Sequence, residues 1–146
     1  MANLATLGVF LPTLVLFSGG TASTTALLLA ASGFLVAMAG SALVLRSRAE
    51  LGGAWSFVPA VDRDTGLVTT GPYRFVRHPI YLGLALITVG EALAFGSWPA
   101  LTIALCVIVP TFAWRGYTEE ALLSRTFGEQ YAVYRQRTKM IIPRVL

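Results

Sequence analysis

Long apolar segments alternate with short polar ones along this chain. No charged side chain occurs before Arg46, and between His78 and Trp114 the only one is Glu91. A helix needs about 20 mostly apolar residues to cross the hydrocarbon core of a bilayer. The pattern therefore predicts membrane-spanning helices, some of them near the short end of the spanning range. The predicted spans are residues 3–18, 24–45, 80–95 and 98–114.

The polar segments predict where the chain leaves the membrane. Residues 46–79 form a loop between the second and third spans. Residues 115–146 carry apolar side chains at helical spacing, and Gly128 marks a break between two helices. A cleaved signal peptide is the rival interpretation of the first apolar segment, but its basic n-region is missing. We expect one all-α domain over residues 1–146, an integral membrane helical bundle of about four transmembrane helices followed by C-terminal cytoplasmic helices.

The basic residues indicate how the bundle is oriented. They fall between the second and third spans and after the fourth, whereas the other two connections have none. Because cytoplasmic loops are enriched in Lys and Arg, both termini and the polar segments, with any site that they carry, are predicted to be cytoplasmic, in an inner or plasma membrane. The same topology accounts for the formal net charge of +4, so no nucleic-acid partner is expected.

The residue types exclude several classes of site. Cys106 is the only cysteine and His78 the only histidine, which predicts neither a disulfide nor a metal site. There is no Gly-x-Ser-x-Gly nucleophile motif, and no glycine-rich phosphate loop follows a predicted strand. Cys106 lies inside an apolar run, where we expect a small buried or lipid-facing side chain rather than a nucleophile.

One segment, residues 71–83, concentrates polar side chains directly before an apolar span. Pro79 has a fixed φ and needs no backbone donor, so it suits the first position of a helix. The residue before a proline is kept out of helical geometry, which predicts that Arg77 and His78 form an extended, exposed entry to this helix. The free N–H groups and the positive dipole end of the helix would then make an anion site beside these two side chains.

Further charged residues follow the fourth span. Arg115 and Glu119 are four residues apart, so they share one helix face and can pair. Glu119 and Glu120 place two negative charges next to the membrane. Taken alone, Arg77 and His78 are explained as a topogenic flank, and the two glutamates as a solvated helix start. Together these groups offer both signs of charge on one membrane face, which suits a zwitterionic ligand.

The motifs in this part of the chain resemble those of a known family. Residues 71–83 read Gly-Pro-Tyr-Arg-Phe-Val-Arg-His-Pro-Ile-Tyr-Leu-Gly, and residues 127–134 read Phe-Gly-Glu-Gln-Tyr-Ala-Val-Tyr. With the glutamate pair at 119–120, they are similar to the membrane methyltransferases that include isoprenylcysteine carboxyl methyltransferases and phospholipid N-methyltransferases. The upstream segments 51–56 and 67–69 resemble the carboxyl methyltransferase branch more closely.

The resemblance implies a helical membrane enzyme that uses S-adenosyl-L-methionine. The adenine of this cofactor needs apolar and aromatic walls, its carboxylate suits His78 and the helix start, and Glu119 suits its ribose hydroxyls or amino group. Arg115 is the implied catalytic residue and would face the methyl acceptor. By motif position, the implied cofactor-binding residues are Gly66, Leu67, Val68, Tyr73, His78, Pro79, Ile80, Tyr81 and Glu119.

The implied function is methyl transfer to a membrane lipid or other amphiphilic acceptor, most like the isoprenylcysteine-type carboxyl O-methyltransferases. A carboxylate acceptor is already ionised, so alignment and exclusion of water would supply most of the rate. Transfer to a phospholipid or other amine is the alternative, and would need a base such as Glu119, Glu120 or His78. A non-catalytic membrane scaffold or transporter subunit is a further alternative. A transporter should carry polar residues at mid-membrane depth, and the predicted spans have almost none.

Overall fold

The computed structural model describes residues 23–52 and 66–141, and within these ranges every regular element is helical. The one β-type contact there is an isolated bridge between Val76 and Lys139. The predicted all-α fold is therefore confirmed. In chain order the elements are helix α1 (Thr24–Leu51), a 3-10 turn (Gly71–Arg74), helix α2 (Pro79–Ala94), helix α3 (Trp98–Ile103), a π-helical turn (Ala104–Ile108) and helix α4 (Val109–Arg137).

Helix α1 is longer than the apolar pattern indicates. It begins at Thr24, where the Ser23 hydroxyl accepts a hydrogen bond from the Ala26 amide. It ends at Leu51, so residues 46–51, which the sequence placed in a loop, are helical. Arg and Glu are good helix formers, so the loss of hydrophobicity does not end the helix. Gly52 ends it, with a φ of 51° that disfavours other residue types. The predicted first span, residues 3–18, lies outside the described residues.

After α2 the chain is helical from Trp98 to Arg137, apart from a break at Gly128. The sequence predicts a span that ends at Trp114 and polar, helical structure from Arg115 onward, and one helix runs through both positions. Helical structure is continuous from Trp98 to Phe127, with the π-helical turn inside it. Charged side chains at the membrane surface continue a helix readily when they can pair along it. The break that does occur lies at Gly128, with a φ of 52°, as the sequence predicts.

Helices α1 and α2 pack closely through glycines. A Cβ atom added at Gly40 would lie 2.6 Å from the carbonyl oxygen of Gly83. One added at Gly90 would lie 2.5 Å from the backbone nitrogen of Ala37. Only a missing side chain permits backbones to approach this closely, which is the usual basis of helix association in membranes. The seven-residue spacing of Gly83 and Gly90 predicts that both lie on one face of α2, and this face contacts α1.

The outer surface of the helices is apolar. Leu28, Leu35 and Leu105 are among the large hydrophobic side chains that remain more than half exposed. Two helical segments, Thr24–Leu51 and Trp98–Arg137, are long and apolar enough to cross a membrane, and α2 is a shorter apolar helix of 16 residues. A contiguous exposed apolar surface of this kind is suited to lipid rather than to water.

Candidate functional site

The polar motif folds into the junction between the 3-10 turn and α2. Pro79 occupies the first helical position and His78 the N-cap, with a φ of −123° that is not helical. The first hydrogen bond of the helix runs from the Leu82 amide to the His78 carbonyl oxygen at 3.2 Å. The amides of Ile80 and Tyr81 precede this bond at the positive end of the helix dipole, where anions are stabilised. The proline therefore fixes where the helix starts and which amides it offers.

The side chains of Arg77 and His78 are buried, so the prediction of an exposed entry is wrong. His78 is 7% exposed and the Arg77 side chain 8%. Their backbone amides are also engaged, since they donate to the carbonyl oxygens of Lys139 and Met140 at 2.8 and 3.0 Å. The cause is a long-range contact: the chain that follows α4 returns over the motif and covers it.

The His78 ring lies between two carboxylates. Its Nδ1 atom is 3.7 Å from Oε2 of Glu119, and its Nε2 atom is 3.8 Å from Oε1 of Glu120. Gly116 leaves room for the ring, because a Cβ atom at this position would lie 3.2 Å from Cδ2 of His78. Nε2 is buried and has no hydrogen-bond partner among the described residues. A buried polar atom without a partner is costly unless a ligand or water satisfies it.

Tyr81 links α2 to α4 beside the histidine. Its hydroxyl donates to Oε1 of Glu119 and accepts from Nε of Arg115 at 2.9 Å. Arg115 and Glu119 also pair directly at 3.5 Å, which confirms the contact predicted from their spacing. The Tyr81 ring stacks with His78 on one side and Phe112 on the other, with ring centroids 5.7 and 5.9 Å apart. His78, Tyr81 and Phe112 thus form an aromatic row, and the charged side chains of Arg115 and Glu119 lie at its edge.

Burial sets the ionisation of the groups at this junction. It lowers the pKa of His78 from 6.5 to about 4, with an opposing contribution from Glu120 and a further lowering from Arg77. The imidazole is therefore neutral at physiological pH. Burial also raises the pKa of Tyr73 above its usual range, and Tyr134 and Glu119 add to this rise. The junction thus holds neutral ring groups next to ionised side chains.

The structure places the sequence-predicted residues in two regions. The side chains that come together through the contacts given above are those of His78, Tyr81, Glu119 and Arg115. Tyr73 lies near them, since the charge of Glu119 acts on its hydroxyl. Of the other predicted residues, some adjoin this group along the chain and others lie away from it. Pro79 and Ile80 continue the same turn of α2, Leu67 and Val68 are half-buried, and Gly66 is exposed in a shallow cleft of about 510 Å³ that Arg125, Thr126, Phe127, Gly128 and Gln130 also line.

Sequence reasoning missed several residues that build the site. Phe112 and Gly116 lie on the same face of α4 as Glu119, so helical spacing from Glu119 was a signal that could have found them. Tyr134 donates a hydrogen bond from its hydroxyl to the carbonyl oxygen of Tyr73 at 2.6 Å. The contact between Tyr134 and Tyr73 depends on the direction of the chain after Gly128, and no local sequence pattern predicts it.

Comparison with known proteins places this geometry in a family. The sequence signature of the phospholipid methyltransferases matches residues 28–130. A protein-S-isoprenylcysteine O-methyltransferase of Schizosaccharomyces pombe is 35% identical over 103 residues, covering 68% of this chain and 44% of the relative. Protein-S-isoprenylcysteine O-methyltransferase B of Arabidopsis thaliana is 34% identical over 105 residues, covering 68% and 53%.

A solved structure shows the same arrangement of helices. The eukaryotic intramembrane Ras methyltransferase ICMT (isoprenylcysteine carboxyl methyltransferase) superposes with a TM-score of 0.74 and 27% identity, covering 80% of this chain and 43% of that one. The chain thus spans about half the length of the relatives it matches. The family signature over residues 28–130 includes the histidine junction, the aromatic row and both glutamates. This chain belongs to the phospholipid methyltransferase family.

Proposed function

We propose that this chain is an S-adenosyl-L-methionine-dependent methyltransferase acting on a lipidic or amphiphilic carboxylate, like the isoprenylcysteine O-methyltransferases to which it is similar. The observation that carries the proposal is the junction of α2 and α4. There, a buried His78 nitrogen without a partner, an aromatic row and an exposed arginine lie at the edge of an apolar bundle. Such a site combines apolar walls with a few convergent polar groups, as small-molecule sites do.

The residues present fit this cofactor. The unpartnered Nε2 atom of His78 and the amides at the start of α2 suit its carboxylate. Glu119 suits its amino group or its ribose hydroxyls, and the rings of Tyr81 and Tyr73 suit the flat base. When bound, the cofactor supplies a methyl group on a positively charged sulfur. The residues of the chain bind the cofactor, align its methyl group with the acceptor and exclude water from both.

Arg115 is assigned to the acceptor. Its side chain is 47% exposed and extends from the outer edge of the aromatic row, where it already contacts Tyr81 and Glu119. A guanidinium in this position holds a carboxylate through charge-assisted hydrogen bonds and leaves it ionised. The large side chains of Trp114 and Tyr117, on the same turn of α4, are also exposed, so an amphiphile from the lipid can approach this part of the helix.

An amine acceptor is the second possibility, because the family signature is that of phospholipid methyltransferases. An amine must lose a proton, so a base is required. Glu120 is poorly suited to this task, since it is buried and paired with Arg77 at 2.6 Å. Glu119 accepts a hydrogen bond from Tyr81 and pairs with Arg115. Both carboxylates are therefore already engaged by donor groups of this chain, which favours an acceptor that needs no base.

The polar junction is proposed to face the cytoplasm, together with both termini. Arg46, Arg48 and Lys139 lie on the same side of the apolar segments as His78. The positive-inside rule assigns that side to the cytoplasm. An inner or plasma membrane is the expected location.

The test is methyl transfer from radiolabelled S-adenosylmethionine to three acceptors presented in detergent or liposomes. One is a prenylated cysteine with a free carboxylate, the second is the same molecule with the carboxylate blocked as an amide, and the third is a phospholipid with a primary amine headgroup. The proposal predicts product, labile to base as methyl esters are, with the first acceptor alone. Label on the amine headgroup would instead establish the second possibility. Absence of label with all three would contradict both.

A further inference from the structure

One side chain, that of Arg77, joins three segments that are distant in sequence. Its Nε atom donates to Oε1 of Glu120 on α4 at 2.6 Å. Its Nη1 atom donates to the carbonyl oxygen of Thr138 and, at 3.3 Å, to that of Arg135. The side chains of both Arg77 and Glu120 are 8% exposed. Arg77 therefore sits immediately before His78 and simultaneously caps the end of α4, where cations are favoured.

The segment that Arg77 caps also binds the backbone of the motif. Residues 138–140, here called the strap, cross the motif with a bridge between Val76 and Lys139. Lys139 and Met140 accept hydrogen bonds from the amides of Arg77 and His78. Thr138 and Met140 are buried, at 6% and 9% exposure. The strap thus covers the residue whose ring lies at the centre of the site.

We propose that Arg77 and Glu120 form a latch, a pair of positioning residues that fastens the strap to the motif and so holds the His78 ring dry and in place. The two adjacent glutamates would then have separate roles. Glu119 faces Tyr81 and Arg115 on the ligand side, whereas Glu120 faces Arg77 and, at 3.7 Å, Arg135 on the strap side.

The energetics of burial support the latch. Removing one partner of a buried ion pair leaves the other charge without compensation, which is strongly destabilising. The least costly relief for an orphaned Arg77 is to hydrate, and water would then compete with the Thr138 carbonyl oxygen for its guanidinium. Local opening of the strap, rather than global unfolding, is therefore the expected response. The His78 ring would be hydrated by the same opening.

Hydration of the His78 ring and loss of the Glu120 charge shift the pKa of this histidine in opposite directions. The charged groups facing His78 are Arg77, Glu119 and Glu120, and Tyr81 stacks on it. If Glu120→Gln removed only a negative charge, the pKa of His78 would fall. If the substitution opens the strap, loss of the burial effect, which is the largest cause of the shift, raises that pKa instead.

The experiment uses the single histidine as a spectroscopic reporter. The imidazole resonances of His78 are titrated by NMR in micelles for the full chain, for Glu120→Gln and for Arg74→Gln. Arg74 is a matched control, since it is an exposed arginine of the same motif whose guanidinium lies over the Phe75 ring. We expect the pKa of His78 to rise by about one unit or more in Glu120→Gln, and to stay unchanged in Arg74→Gln.

Hydrogen exchange of the Arg77 and His78 amides gives an independent reading of the strap. These amides should exchange at least about tenfold faster in Glu120→Gln and in Arg77→Gln, and at the wild-type rate in Glu119→Gln. Arg77→Lys keeps the positive charge but not the planar guanidinium that donates to two partners at once. Its amides should exchange at an intermediate rate. If Glu120→Gln does not fold, Glu120→Asp is measured with the same criteria.

The latch requires both results. A lowered or unchanged His78 pKa, or amides that remain protected in Glu120→Gln, would overturn it. The significance of the latch for the cofactor rests on the proposed function, but neither readout needs cofactor or acceptor. A chain that fails to bind S-adenosylhomocysteine would contradict the proposed function and leave the latch standing.

Discussion

The lone histidine gives a pH dependence of stability whose sign and size follow from the structure. His78 has a pKa of about 4 in the folded protein because it is buried, against 6.5 ordinarily. The unfolded chain therefore takes up a proton near pH 6.5, whereas the folded protein does so only near pH 4. The stability from this group is complete above pH 6.5 and is lost as the pH falls, since the unfolded state then binds more protons. The two pKa values give a loss of about 2 kcal/mol at pH 5 and about 3 kcal/mol below pH 4.

The assay is equilibrium unfolding in micelles at pH 7.5, 6 and 5, with His78→Gln as the control. Glutamine keeps a polar side chain but does not titrate in this range, so its pH dependence reports all other groups together. Between pH 7.5 and 5 the free energy of unfolding of the wild type should fall by about 2 kcal/mol more than that of the variant. Equal losses, or a smaller loss in the wild type, would refute the placement of a buried neutral imidazole at this junction.

Three further substitutions test other parts of the structure. Arg115→Ala should lower methyl transfer by about tenfold or more through loss of a charge-assisted hydrogen bond, while S-adenosylhomocysteine affinity by calorimetry stays constant; an equal loss of affinity would contradict its role. Gly90→Ala brings a Cβ atom within 2.5 Å of the α1 backbone and should cost about 1–3 kcal/mol of unfolding free energy, unlike Ala39→Val on the exposed face of α1. Gly116→Ala places a Cβ atom 3.2 Å from the His78 ring. It should weaken cofactor binding while the melting temperature stays nearly unchanged.

The helices were largely predictable from the sequence because apolar runs and helix-stop residues act locally. The all-α fold, the contact face of α2 and the break at Gly128 follow from such signals. The helices continue beyond the predicted span ends at position 45 and at Trp114 for one physical reason. Both were placed where hydrophobicity falls, but a helix ends where its backbone hydrogen bonding ends, and charged residues sustain that bonding.

The candidate site was predictable only where its contacts are local. The Arg115–Glu119 pair follows from spacing on one helix, and it forms. The burial of Arg77 does not follow, because it depends on the strap, about sixty residues later in the chain. A hydrophilic residue at the start of an apolar span is predicted to be exposed unless its distant partners are known. Long-range coverage of this kind has no periodic signature in a single sequence.

The central claim is that the junction of α2 and α4 binds the methyl donor, and calorimetric titration with S-adenosylhomocysteine tests it most directly. The purified chain is compared with Glu119→Gln and with Glu129→Gln, a matched control that removes an exposed glutamate elsewhere on α4. The account predicts saturable binding to the wild type and the control, weakened about tenfold or more by Glu119→Gln. Wild-type affinity in Glu119→Gln, or no binding to the wild type, would contradict it.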